Sequence, residues 1–403
     1  MASKVLGEFF ESYIGQESLF LNKKVLQSNY SPDEISHRDE QIKSIASILA
    51  PVLRLERPSN IFIYGKTGTG KTLVTKHIIN EVLGIVKEKN LPVNIKYINC
   101  KLKRVADTEY RLISHLANDL GREIPSTGLP TEDVYKIFID LIDSKKGILV
   151  LVLDEVDQLV KKAGDGILYN LTRLNSELKN VELSIIGISN DLLFMENIDP
   201  RVKSSLSEEE MVFPPYNALQ IQDILRQRSK ISFRIGAVED GVIEKCAAYA
   251  AREHGDARRA LELLRVAGEL AERRNNKKIA MEDLDLAEEK MEKDKVLEVI
   301  HTQPKQFQLT LLSLFNIFES NRDTPIFTGD VYDIYKDWCK KSGMKPLTQR
   351  RISDIIAELD MLGIIHARVI SKGRYGRTRE ITSAVPTSTI PKIKEILKEG
   401  LNL

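Results

Sequence analysis

The chain has 403 residues, with 59 Lys and Arg against 58 Asp and Glu, a formal net charge of +1. That length holds two or three domains, and 42% hydrophobic with 29% charged residues is an ordinary globular balance. Cys100, Cys246 and Cys339 stand far apart with no CxxC spacing, which argues against a zinc site or a disulfide framework and for a reducing compartment.

The first residues, Met1 to Tyr13, mix charges with short apolar steps and show no signal-peptide core. No run reaches the roughly 18 apolar residues of a membrane helix, so no membrane partner is expected. From Asn60 short apolar strands alternate with longer helical patterns. The strand candidates are Asn60–Tyr64, Val93–Cys100, Ile148–Leu153, Leu183–Ser189 and Met211–Phe213. Such alternation predicts an α/β domain, a parallel sheet with helices on both faces, spanning 1–215.

Gly65, Lys66, Thr67, Gly68, Thr69, Gly70, Lys71 and Thr72 form a GxxxxGK[ST] run after the first strand, opening a helix at Leu73–Leu83. Its glycines let successive N–H groups turn around a phosphate, and the helix N-terminus adds partial positive charge. Lys71 would reach the β- and γ-phosphates and the Thr72 hydroxyl would bind Mg²⁺, so ATP or ADP with Mg²⁺ is the expected ligand. About 80 residues on, the apolar run Ile148–Leu153 ends in Asp154-Glu155-Val156-Asp157. Carboxylates there sit at the ligand edge of an open sheet. Asp154 is placed for the Mg²⁺ shell and Glu155 to orient or deprotonate the attacking water.

After Pro214-Pro215 only helices are expected over 216–300: Leu219–Ser229, Asp240–Glu253, Ala257–Arg274 and Met281–Ile300. Gly255 is placed to end one helix and Asp256 to cap the next. Arg258 and Arg259 in that next helix's first turn oppose its dipole, which an anionic partner would explain. A third unit, 301–403, holds 16 basic and 11 acidic residues, a net +5. It reads as helices Phe307–Glu319, Thr328–Ser342 and Thr348–Leu362, two short strands around Ser371–Thr378 and a closing helix, Pro391–Glu399. In the third helix Ile352, Ile355, Ile356, Leu359 and Leu362 form one stripe, while Gln349, Arg350 and Ser353 open the other side. A cationic N-terminal turn over an apolar face suits the major groove, with Arg350 toward guanine and Gln349 toward adenine. The following hairpin carries Arg368, Lys372, Arg374, Arg377 and Arg379 with no acid among them, and Gly373, Tyr375 and Gly376 near its tip. It reads as a cationic wing, worth a salt slope of at most roughly −4.5.

The two acidic and glycine-rich motifs resemble the Walker A and Walker B of AAA+ ATPases. By that resemblance Ile186-Gly187-Ile188-Ser189-Asn190 is sensor 1, with Asn190 on the γ-phosphate or the water. Arg258 is then the sensor-2 arginine of a helical lid, and Arg201 in Asp199-Pro200-Arg201-Val202 an arginine finger serving a neighbouring subunit. AAA+ module, lid and C-terminal winged helix together resemble the archaeal origin-recognition initiators, relatives of the origin recognition complex large subunit, from Tyr30 to about Pro386. Family-specific pieces are His37-Arg38-Asp39-Glu40, which places His37 and Arg38 near the adenine, and Asp154 to Leu159 and Arg201 to Ser205. An inserted helical element at about 105–130, with its loop Arg122–Pro130, would touch DNA.

The resemblance implies an initiator that binds origin duplex DNA under ATP/ADP control and helps recruit the replicative helicase. It also implies related initiators on adjacent sites, a cytoplasmic, nucleoid-associated setting, and slow hydrolysis acting as a switch. A clamp-loader-like remodelling ATPase and a nucleotide-switched transcription regulator remain open alternatives.

Overall fold

The structure, a computed structural model, describes residues 17–101, 106–125, 127–206, 208–320, 326–371, 377–385, 390–401 and 403. They fall into two compact units, dividing after Leu284.

The first unit is built on a five-stranded sheet: β1 (Ile61–Tyr64), β2 (Val93–Asn99), β3 (Gly147–Asp154), β4 (Val181–Ser189) and β5 (Glu209–Val212). Every pairing is parallel and the spatial order is β2-β3-β4-β1-β5. The strands read as continuous apolar runs because both faces are covered. In β3, Leu149, Leu151 and Leu153 enter one core with Phe62 and Ile185. Ile148, Val150 and Val152 enter the other with Ile61, Ile63 and Ile188. That split is the two-residue period of a strand shared between two helical layers.

On the first face lie α3 (Glu109–Asp119), α4 (Thr131–Ile142), α5 (Val156–Ala163) and α6 (Gly166–Arg173); on the second, α1 (Asp39–Leu49) and α2 (Lys71–Glu88). α7 (Pro200–Leu206) adds Val202 and Leu206 to the first. α2 begins two residues before the expected start and runs five beyond the expected end, its Ile78, Ile79, Val82 and Val86 buried on the sheet. The segment expected to be an insertion contains a helix, α3, capped by the Thr108 side chain, with Leu112, Ile113, Leu116 and Ala117 buried.

The helices after β5 are α8 (Ala218–Ser232), α9 (Val242–Arg252), α10 (Ala257–Arg273) and α11 (Met281–Thr302); the division between the units falls inside α11. Asn217 and Gln220 form a reciprocal capping box on α8. Asp256 caps α10 through the N–H groups of Arg258 and Arg259.

The second unit packs α12 (Lys305–Ser320), α13 (Thr328–Lys341), α14 (Gln349–Met361) and α15 (Ile390–Leu401) with a three-stranded antiparallel sheet. Its strands are β6 (Ile326–Phe327), β7 (Ile365–Ser371) and β8 (Arg377–Ser383), ordered β6-β8-β7. Helices followed by a β-hairpin make this a winged helix. The short β6, not expected from sequence, pairs Ile326 with Ile381 and carries the sheet back to the core. On α14, Ile352, Ile355, Ile356 and Leu359 are buried as expected, but Leu362 is 44% exposed. The chain leaves the helix after Met361 and turns through Gly363 at φ 70°, so Leu362 drops off the apolar stripe. Among the described residues no helix is long and apolar enough to cross a membrane.

Candidate nucleotide site and nucleic-acid interface

Strand order creates the site. β4 lies between β1 and β3, so Tyr64 is level with Ser189 and Asp154 with Ile188. The loop after β1, the carboxylates after β3 and Asn190 after β4 therefore meet at one sheet edge. They line a polar cavity of about 130 Å³ with Gly68, Gly70, Lys71, Thr72, Tyr97, Asp154, Glu155, Asn190 and Arg258.

Lys71 is 4% exposed, and its Nζ donates to the carbonyls of Gly65 at 2.7 Å and Lys66 at 2.8 Å. Burial pulls the ammonium down to about 8, partly offset by the charge of Asp154. Thr72 Oγ1 donates to Asp154 Oδ2 at 3.0 Å, and the Glu155 N–H donates to Asp154 Oδ1 at 3.0 Å. Glu155 holds φ 56°, an uncommon conformation for a non-glycine residue that costs about 1–3 kcal/mol and clusters at functional sites. It turns the chain from β3 into α5 and leaves the carboxylate in the cavity, with Lys101 Nζ 3.9 Å away.

Three side chains without an assigned role in the sequence complete the edge. The buried Asp157 accepts from Ser189 Oγ at 3.2 Å and from the Asn190 N–H at 3.4 Å, tying β4 to α5. Tyr97 of β2 donates its hydroxyl to Asp154 Oδ2. Lys76 sits 4.4 Å from the Tyr97 ring centroid. A strand tyrosine resembles any core aromatic until its cross-strand neighbours are known; Asp157 carried a signal, a third acid three residues past the strand.

The lid closes directly on the phosphate loop. Ala257 N–H donates to Gly68 O at 3.3 Å, and Lys66 Nζ lies 3.1 Å from His254 Nδ1. Gly68 is at φ 73°, and a Cβ there would fall 1.8 Å from Asp256 Oδ1. Gly255, at φ 69°, packs so closely that its Cβ would lie 2.3 Å from Tyr216 O. This docking sends Arg258 into the polar cavity. Arg259 turns away to Glu253, 2.6 Å from Nε.

Arg38 is 2% exposed and donates to Thr69 O at 2.9 Å and Pro214 O at 2.6 Å, its guanidinium 3.9 Å from the Tyr216 ring. It braces the loop backbone from behind, and burial lowers its pKa. His37 Nε2 lies 3.2 Å from Asp223. Next to the polar cavity a larger one, about 710 Å³, runs between Tyr30, Pro32, Ile35, Ile224, Arg228, Ile231 and Leu261 and reaches Gly70 and Thr72. Glycines without side chains, a lysine and two hard oxygen donors, Thr72 and Asp154, suit a nucleotide with Mg²⁺. Arg201 is exposed and held by Asp199, Nε–Oδ1 3.1 Å and Nη2–Oδ2 2.8 Å, which depresses the Asp199 carboxyl to about 2. It is not part of either cavity.

In the second unit Thr348 caps α14 through the Arg351 N–H. Gln349 and Arg350 are exposed on its first turn, and Arg350 has no ion pair among the described residues. Arg351 faces Asp354 and Glu358 at 3.8 and 3.9 Å. In the hairpin Arg368 stands opposite Glu380, while Arg379 stands opposite Val369 in line with Ala367 and Ile381. Pleating therefore puts Arg368 and Arg379 on opposite faces of the wing. Arg377 opens β8 opposite Ser371; Lys372, Gly373, Arg374 and Tyr375 lie outside the described residues. Of the inserted loop, Ile124 is buried and its N–H is held by Asn118 Oδ1 at 2.6 Å, whereas Arg122, Glu123 and Pro125 are exposed.

A parallel-sheet P-loop module, a docked helical lid and a winged helix define the class: an AAA+ protein with a C-terminal winged-helix domain. Comparison with known proteins agrees block by block: an AAA domain matches residues 54–195, a Cdc6 AAA+ ATPase-type lid domain 222–289, and the CDC6 C-terminal winged helix domain 298–392. An ORC1-type DNA replication protein of Pyrococcus furiosus is 51% identical over 397 residues, 98% of this chain and 93% of that protein. ORC1-type DNA replication protein 1 of Sulfurisphaera tokodaii is 50% identical over 390 residues, 97% and 96% of the two. The structure of the Aeropyrum pernix ORC1 protein in complex with DNA superposes with a TM-score of 0.82 at 42% identity, covering 95% of this chain and 98% of that one. The chain belongs to the ORC1-type DNA replication protein family.

Proposed function

We propose that the chain is a nucleotide-switched initiator that binds origin duplex DNA and helps recruit the replicative helicase. The observation that carries the switch is the seating of the lid on the phosphate loop. Ala257 and Asp256 touch Gly68, and Arg258 enters the same cavity as Lys71 and Asp154. A γ-phosphate there is read by both the sheet edge and the lid, so its loss changes the lid's footing.

ATP or ADP binds with the base in the apolar cavity, the phosphates on Gly65 to Thr72, and Mg²⁺ at Thr72 and Asp154. Thr72 and Asp154 would hold the Mg²⁺, which would supply charge neutralisation at the phosphates; Glu155 would orient the attacking water, and Asn190 and Arg258 would contact the γ-phosphate. Arg201, exposed and 2.8 Å from Asp199, can be offered to a neighbouring subunit's nucleotide, and a monomer without that neighbour turns over slowly. DNA is held by Gln349 and Arg350 in the major groove and by Arg368, Lys372, Arg374, Arg377 and Arg379 on the backbone. The exposed residues of the 105–130 insertion add a second contact. Related initiators on adjacent sites and a cytoplasmic, nucleoid-associated location follow from the same reading. The Aeropyrum pernix relative solved in complex with DNA supports the DNA assignment. Family membership favours the initiator over a remodelling ATPase or a promoter regulator.

The test is to select genomic fragments bound by the purified chain at about 0.15 M salt, with ATP and with ADP, and to sequence them. Recovery of a few intergenic loci where replication starts is expected. Scattered promoters would support the regulator instead, and no enrichment a non-specific loader.

A further inference from the structure

We infer that Tyr97 is a positioning residue for the divalent cation, acting through Asp154; this rests on the nucleotide-site reading above. Asp154 is 3% exposed, so protein donors rather than bulk water set the orientation of its carboxylate. Three donors hold it: the Tyr97 hydroxyl and Thr72 Oγ1 on Oδ2, and the Glu155 N–H on Oδ1. An ionised carboxylate offers about four lone-pair sites, so this set leaves one, on Oδ1, for a cation or its bound water.

Tyr97 is the side chain of the set that the nucleotide does not recruit. Thr72 must turn an oxygen lone pair to the cation while keeping its proton on Oδ2. The phenol has no such second duty and holds Oδ2 throughout. Its position comes from the fold: β2 pairs with β3 so that Tyr97 is level with Val152, two residues before Asp154 and on the same sheet face. Lys76, one turn after Thr72 on α2, places its ammonium over the ring, 4.4 Å from its centroid.

Second partners of metal ligands typically set affinity by about 10- to 100-fold when removed. The test uses the full chain and Tyr97→Phe, which keeps the ring beneath Lys76 and deletes only the hydroxyl. A fluorescent non-hydrolysable ATP analogue is titrated in EDTA and then at rising Mg²⁺. Expected is an EDTA affinity within about twofold of wild type and a Mg²⁺ midpoint raised roughly tenfold. In an Asp154→Asn background the same substitution is expected to move the midpoint by less than about twofold, because the residue it acts through has already changed.

An unchanged midpoint in Tyr97→Phe, beside a wild type that responds to Mg²⁺, overturns the inference. So does an equal loss of affinity in EDTA, the mark of a merely structural role. A wild-type chain that binds no analogue under any condition overturns the nucleotide reading itself.

Discussion

Gly68→Ala isolates the joint between lid and phosphate loop. Two costs follow from the geometry. Alanine must adopt φ 73°, a left-handed conformation that costs about 1–2 kcal/mol without glycine's freedom. Its Cβ must also displace Asp256 Oδ1, 1.8 Å away, and that carboxylate is the N-cap of α10, bonded to the Arg258 and Arg259 N–H groups. Losing an N-cap costs about 0.5–2 kcal/mol, so the sum is about 3 kcal/mol. At about 2–4 °C per kcal/mol this is a fall of roughly 6–12 °C in Tm. If the lid instead swings clear to relieve the strain, nucleotide release accelerates, since each 1.4 kcal/mol is about tenfold in an equilibrium.

Calorimetry and stopped-flow release of a fluorescent ADP separate these routes, and a double-mutant cycle identifies the cause. Asp256→Ala removes cap and obstacle together, so adding Gly68→Ala should then cost only the backbone part, about 1–2 kcal/mol. The double variant is expected to fall short of additivity by about 1 kcal/mol. Additive effects, or a single variant with wild-type Tm and release rate, would refute the lid contact as described.

Nucleotide affinity should depend on pH through Lys71. Its pKa is lowered to about 8 by burial, and bound phosphates, being anionic, would raise it again. Affinity is therefore full near pH 7 and falls by up to about tenfold per unit above 8, a decline that Lys71→Met abolishes; calorimetry in buffers of differing ionisation enthalpy at pH 8 should register proton uptake. In the nucleotide-free fold the sign is opposite: between 8 and 10.5 the unfolded chain holds a proton the fold has released, so stability contributed by this group rises with pH. Arg258→Ala should weaken triphosphate binding about tenfold or more at unchanged Tm. Arg259→Ala should spare binding and cost about 1.5–3 kcal/mol by removing the 2.6 Å pair with Glu253, as read by denaturant titration.

Much of the chemistry was legible in sequence because it is local. A glycine-rich run between strand and helix has one common use, and carboxylates ending an apolar strand must emerge at a sheet edge. The stripe of Ile352, Ile355, Ile356 and Leu359 fixed a helix and its buried face before any fold was known. Those inferences need only neighbours within a turn or a strand. The strand order β2-β3-β4-β1-β5 was not available that way, since a parallel crossover can land on either side of its predecessor, yet it alone sets Asn190 between the loop and Asp154. Tertiary packing also decided between Arg258 and Arg259, neighbours in sequence but about 100° apart around a helix, one turned to the cavity and one to Glu253. It gave Arg38 to the backbone of the loop, Leu362 to solvent, and Tyr97, an unremarkable strand residue, to Asp154. Sequence determines which groups a segment carries and which way its own period turns them; only the packed sheet and lid decide which distant group stands within hydrogen-bonding reach.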